Sequence, residues 1–511
     1  MAFEPQINEI ETKYNKKLEM VKTQSNVALS SNGEKIDKVL FTRAMPYVNN
    51  IVANNGSVLL EGSLSATALV LVEGGVVTSI ANVGSFSATY NSPTIMQDSQ
   101  IFASVQSLGI DNIVVNDNTV NFVDSIGIEL SMIEKQKVSY VASIETANEK
   151  IETIEYTTLS SAINDNFDLN TEIDLPNSIS KILFAESYGV LKDVTTSNDL
   201  VTLNGEVFTN LVYLTNDEQP KLKNQTYSTE FHQEILSTGT TVGQIASATL
   251  DTSSNEFEIQ GELSSSKGVI ILKNKFNSNI FIESSKTIDG VIDAFCPRKE
   301  MQINFQSFVK QNIVCSKTVT DKVDGNIVLN EDDVRIDKVV ATSSGVGVIN
   351  NTQIVDEEVV VQGTIYENII YLLDDEAHTM QAIQVEMPFE TTVRCDGIKS
   401  TDDVTARVVV KETESRNKKS KEIDVMADIA VCVVLVRNDN GAVVSGVVLG
   451  ENRKPQETNM GMYVIDKAED TWDIAKNLLV SPDMLMQQNP NLTFPITKPT
   501  QIVIYRQQKI D

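Results

Sequence analysis

Two histidines, His232 and His378, and four cysteines, Cys296, Cys315, Cys395 and Cys432, are all that this 511-residue chain offers for imidazole or thiol chemistry. Neither histidine stands beside a serine or cysteine motif. There is no G-x-S-x-G nucleophile turn, no H-E-x-x-H zinc helix and no G-x-x-x-x-G-K-[ST] phosphate loop. Members of a catalytic triad need not be adjacent in sequence, but here the catalytic base itself is scarce. Carboxylates are abundant, and solvated faces account for them. The cysteines are scattered, form no C-x-x-C pair, and read as four buried thiols rather than a disulfide framework. The expectation is a non-enzymatic protein with no metal and no cofactor. The remaining residue with distinctive binding chemistry is the single tryptophan, Trp472. Its large ring and N–H donor suit an exposed contact surface, and equally the core of a small module.

The segment around Trp472 must position it. "LGENRKPQETNMG" (449–461) reads as a polar linker with Gly450, Pro455 and Gly461. "MYVID" is a short strand. Asp470 or Thr471 can cap a helix carrying Trp472, Ala475, Leu478 and Leu479 at three- and four-residue steps. Ser481-Pro482 starts a second helix, and Asn489-Pro490 ends it. "QIVIY" (501–505) closes as a strand able to pair with "MYVID". The predicted order is β-α-α-β, with a core so small that each apolar residue counts.

The rest of the chain repeats itself. "IDKVLF" at Ile36–Phe41 recurs as "ISKILF" at Ile179–Phe184 and "IDKVVA" at Ile336–Ala341. A strand-like run then ends in glycine at Gly62, Gly205 and Gly363. The spacing from isoleucine to glycine is 26, 26 and 27 residues (36 to 62, 179 to 205, 336 to 363). Another apolar run follows each glycine, and Tyr213 and Tyr371 share a position in the last two. "IDVMADIAVCVVLV" places Ile423, Val425, Ala427, Ile429, Val431, Val433 and Leu435 on one face, and "SIGIELSMIE" does so with Ile126, Ile128, Leu130 and Met132. Period two means strands with one buried face. The repeated glycine marks a bulge or a close backbone crossing. These features predict three tandem, separate β-rich domains over 36–135, 179–310 and 336–437. Within 1–35, Ile7, Ile10, Tyr14, Leu18 and Val21 recur at helical spacing and predict an amphipathic N-terminal helix followed by a linker.

Hydrophobic residues make up 41 % and charged residues 22 %, the proportions of a folded protein. A net charge of −29 disfavours nucleic acid, whose phosphates need a basic face, and favours partners with basic patches. "SRNKKSK" (415–421) is a local basic run, expected in a loop between strands. No secretory pattern and no apolar run of membrane-spanning length is expected.

The terminal pattern Tyr463-x-Ile465, Asp470-Thr471, Ile474-Ala475, Leu485, Asn489 and Gln501–Ile504 resembles a LysM domain. That family folds as βααβ and binds N-acetylglucosamine-containing glycans through its two long loops. The resemblance implies a partner- or glycan-binding surface of Ile465, Glu469, Asp470, Thr471, Trp472, Asn489, Pro490, Asn491 and Leu492, within a domain at 462–507. The family's Gly-Asp-Thr is Glu469-Asp470-Thr471 here, and its Pro-Gly-Gln is Pro499-Thr500-Gln501. Both changes add side chains where glycines let a glycan approach the backbone. Three β-rich repeats before one LysM domain resemble the SPOCS-domain spore morphogenesis proteins, the SipL type more closely than the SpoVID type. The fold class expected is therefore mainly β: three tandem SPOCS-like domains and a small α+β LysM domain. The resemblance implies an adaptor in endospore coat assembly, in the mother-cell cytoplasm at the outer surface of the forespore. Its partner would be the polymerising coat ATPase of the SpoIVA type, with other coat proteins as further partners. A wall protein binding peptidoglycan is the alternative.

Overall fold

A computed structural model describes residues 5–174, 179–218, 220–260, 269–330, 333–343, 345–454, 460–465 and 469–505. The chain is mainly β, with two short helices among the described residues. No helix among them is long and apolar enough to cross a membrane.

The N-terminal segment departs from expectation. Instead of a helix, it forms β1 (Pro5–Lys17) and β2 (Val21–Ser30). Both lie antiparallel along one side of the long β7 (Thr119–Ile144), β1 on its second half and β2 on its first. A strand of that length leaves a row of backbone donors and acceptors that must be matched. This demand outweighs a helical spacing of five apolar residues, because local propensity is a weak preference. Ile7, the first of the five, is half exposed in the strand.

Around β7 the first unit adds a meander, β3 (Ile36–Asn54), β4 (Ser57–Val72) and β5 (Val76–Asn91), then β6 (Ile101–Asn116), which pairs with β7 on its other side. The second unit repeats the plan with β8 (Asn148–Asp174), β9 (Ile179–Ser197), β10 (Leu200–Thr215), β11 (Leu222–Leu236), β12 (Ala246–Gln260) and β13 (Val269–Phe295). The third does so with β14 (Lys299–Val328), β15 (Ile336–Thr342), β16 (Val346–Val355), β17 (Glu358–Leu373), β18 (Met380–Arg394), β19 (Asp403–Lys419) and β20 (Glu422–Asn452). In each unit the segment before the "I-D/S-K" motif pairs along the unit's long last strand. The sheets therefore gather strands beyond the boundaries drawn from the repeats alone. Every apolar position named on the alternating faces of β7 and β20 is buried.

The repeated motifs have a shared mechanical purpose. In all three units the "I-D/S-K" strand slips register twice against its neighbour, leaving Asp37, Ser180 and Asp337, then Leu40, Leu183 and Val340, as extra residues. A bulge breaks strict alternation, so Leu40-Phe41 and Leu183-Phe184 are buried as consecutive pairs. The repeated glycines face a further bulge. Gly62, Gly205 and Gly363 pair directly with Phe86, Phe231 and Phe389. A Cβ on any of them would fall within 2.5 Å of that ring and 2.4 Å of a carbonyl across the bulge. Only glycine fits between ring and bulge.

The units are not the separate bodies expected. Leu40 and Phe41, Leu183 and Phe184, and Ala341 meet in one apolar cluster, with the Phe41 and Phe184 rings edge-on at 5.6 Å. Val141, Val291 and Val444 meet in a second cluster, together with Ile144, Ala294 and Val447. Matching positions of three strands thus converge, as around a pseudo-three-fold axis. Polar contacts also cross between units. Arg43 donates to Glu186 at 2.8 Å and to the Tyr188 hydroxyl, and Arg407 pairs with Asp251. The four-thiol expectation is also corrected: Cys315 on β14 and Cys395 just after β18 form a disulfide, while Cys296 and Cys432 are free. The partners lie 80 residues apart in sequence, so only the packing of the two sheets of unit three brings them together.

Candidate functional site: the terminal module

After β20 the chain forms β21 (Met460–Ile465), α1 (Thr471–Leu478), α2 (Pro482–Gln488) and β22 (Thr500–Tyr505). Strand character reaches Asn452, so the stretch read as linker begins inside β20. Residues 455–459 lie outside the described residues. β21 and β22 pair antiparallel with no register shift, Tyr463 opposite Ile502. Asp470 caps α1 by accepting from the Asp473 N–H at 2.8 Å, and Ser481 caps α2 by accepting from the Met484 N–H at 3.2 Å. Leu479 adopts a left-handed conformation that ends α1. Ile474, Ala475, Leu485, Ile502 and Ile504 form a fully buried centre.

The two long loops are tied together. Glu469 and Ile496 exchange backbone hydrogen bonds of 3.3 and 2.9 Å. Asn489 is consumed structurally: its amide donates to Leu485 and Val503 carbonyls at 3.0 and 2.9 Å and accepts from the Val503 N–H at 2.9 Å. Pro490 and Asn491 are exposed, while Leu492 and Ile465 pack partly against the module core. Thr471 is half-buried. The structure thus gathers these residues on adjoining loops, but it leaves only some of them open.

Trp472 faces the body. It is 9 % exposed, so the exposed contact surface considered from sequence is not what this residue presents. Its ring meets Phe295 edge-on at 5.2 Å, and its Nε1–H donates to Asp293 Oδ2 at 2.7 Å. Lys476, one turn further along α1 and on the same face, reaches both Asp293 oxygens at 2.7 Å. Lys150 lies 3.7 Å from Asp470. Burial alone would raise the Asp293 carboxyl. Hydrogen bonds from Lys476 and Trp472, the Lys476 charge and the Ala294 N–H overcome this and hold it below its ordinary value. One carboxylate at the end of β13 therefore anchors the module. Lys476 could have been suspected from its spacing to Trp472. Asp293, Phe295 and Lys150 carry no sequence signal, because they belong to a distant strand pair.

Elsewhere, both histidines are exposed. His232 shares a 2.7 Å hydrogen bond with Asn204, and His378 lies 3.3 Å from Asp337. Among the described residues no cluster of three or more His, Cys, Asp or Glu could hold a metal ion. A cavity of about 170 Å3 between the units is bordered by Arg43, Tyr188, Asp251 and Arg407. Beside it Glu367 is fully buried, and among the described residues neither of its carboxylate oxygens has a hydrogen-bond partner. Burial drives its carboxyl well above the ordinary range. The basic run 415–421 lies on the end of β19 and the turn into β20.

Residues 335–417 match the family model described as SipL, SPOCS domain. The match covers β15 to β18 and most of β19, the core of unit three. It supports a protein of SipL/SPOCS type, and a sporulation-related one. No curated protein and no solved structure matches the chain.

Proposed function

We propose that this protein is a non-enzymatic adaptor in endospore coat assembly, working in the mother-cell cytoplasm at the outer surface of the forespore. The observation that carries the reading is the SPOCS-domain match at 335–417, in a chain whose other two units repeat the same strand plan. The body acts as a scaffold, and the terminal module, of LysM type, makes the contact to the polymerising coat ATPase. Shared cores give the scaffold a fixed shape, and a polymeric partner multiplies weak single contacts through avidity.

The test is a side-by-side binding measurement on the full chain. One arm presents the purified forespore-coat ATPase, the other chito-oligosaccharides and purified peptidoglycan. Saturable binding to the ATPase alone supports the adaptor. Binding to glycan alone replaces it with a wall-binding role.

A further inference from the structure

The two edges of the terminal sheet are treated differently. On β22, the outward N–H and C=O of Val503 are matched by the Asn489 amide, at 2.9 Å each. Those of Tyr505 are matched by the Gln488 amide at 2.7 and 2.8 Å. Two side-chain amides thus imitate a neighbouring strand and close that edge. Directly opposite residues of an antiparallel pair point their backbone groups both toward each other or both away. Val503 and Tyr505 point away, and their partners are Met462 and Met460. The backbone groups of Met460, Met462 and, by alternation, Val464 therefore face outward along β21.

Nothing among the described residues closes that second edge. The sheet has two strands, and among the described residues no hydrogen bond reaches those backbone groups. Natural edges are blunted by charge, proline or a bulge. β21, "MGMYVI", has no charged residue, no proline and no register shift. Met460, Met462 and Val464 are instead 51 %, 60 % and 62 % exposed.

We propose that the open edge of β21 takes up an extended segment of a partner protein as an added third strand. The unmatched row of donors and acceptors specifies an extended backbone. The apolar side chains beside it specify apolar residues at alternate positions of the incoming strand. Residues 460–505 carry five acidic against three basic residues, which favours basic flanks. The proposal deepens the adaptor reading and rests on it, by naming the segment chemistry that the module recognises.

The probe is a synthetic ten-residue peptide of alternating Val and Thr with two lysines at each end, added to the full chain. Controls carry glutamate flanks, or proline at alternate positions. Amide hydrogen exchange is followed by residue. The lysine-flanked peptide slows exchange at Met462 and Val464 by about tenfold or more, equivalent to about 1.4 kcal/mol. The glutamate version does so less, and the proline version not at all. Met462→Pro removes one outward N–H without touching the β21–β22 ladder, and it abolishes the effect while the emission of Trp472 stays unchanged. Should that variant misfold, Met462→Lys places a charge on the edge and serves the same purpose. No added protection at millimolar peptide, protection away from β21, or unchanged binding to the edge variants overturns the proposal. Concentration-dependent dimers that vanish with Met462→Pro overturn it in favour of a second copy as the occupant. If the full chain binds the coat ATPase while the peptide fails, the adaptor reading stands and its contact surface lies elsewhere.

Discussion

The three-unit body and the terminal module hold themselves together by opposite means. The body uses matching residues three times, in clusters to which every unit contributes. The module has one small core and relies on a few side chains: Gln488 and Asn489 bracing α2 to β22, and Trp472 and Lys476 gripping Asp293. A redundant, shared core resists local loss but transmits a large defect everywhere. A small core fails locally. The body should therefore unfold as a single cooperative body and the module by itself.

The largest effect is expected from Gly363→Val. Its Cβ would lie 2.4 Å from the Val348 carbonyl and 2.5 Å from the Phe389 ring, and the overpacking should cost about 3 kcal/mol or more. Chemical denaturation should show the first two units destabilised together with the third. Separate transitions would break the shared-core account. Phe184→Ala comes next, at about 3–5 kcal/mol for a buried ring, again in one transition followed by far-ultraviolet circular dichroism. Asn489→Ala should cost about 1–3 kcal/mol by leaving the Val503 backbone unmatched. It should lower the melting of the module, read through Trp472, and leave the body unchanged.

Asp293→Ala should undock the module at a cost below about 2 kcal/mol, since solvent reaches both partners of the ion pair. Because Trp472 is the sole tryptophan, its emission should shift to the red with the β signal unchanged. Acid should act the same way. A carboxyl held below its ordinary value contributes stability above the unfolded-state value of about 4, and loses it as pH falls through the lower folded value. Docking is thus expected to weaken only in strong acid.

A pH effect of the opposite sign belongs to the body. Burial, the main cause, pushes Asp124 and Glu283 up to about 7, against opposing hydrogen bonds from the Ser107 hydroxyl and the Ile313 N–H respectively. Such groups bind more protons folded than unfolded, so body stability should fall as pH rises from about 4 to about 7. Asp124→Asn with Glu283→Gln should flatten that slope in a thermal-melt series across pH 4.5 to 8. A slope unchanged in the double variant would show that other groups set it.

Much of the architecture was legible. Alternation named the buried faces of β7 and β20 residue by residue, and the spacing of the glycines located positions where a bulge meets a ring. Asp470 and Ser481 were readable as helix caps because capping depends on neighbours within three residues. The N-terminal segment was misread, because its fate rests on a strand more than a hundred residues away. The Cys315–Cys395 disulfide and the Asp293 anchor were invisible for the same reason.

Local chemistry in the chain determined the strand periodicity, the repeated bulges, the two short helices and the scarcity of catalytic groups. Those features depend on steric and hydrogen-bonding preferences within a few residues. Tertiary structure alone decided that the units share cores, that Trp472 is turned inward, and that β21 keeps an open edge while β22 is closed by Gln488 and Asn489. Each of those outcomes depends on which distant backbone or side-chain groups arrive to satisfy a donor, an acceptor or an apolar face.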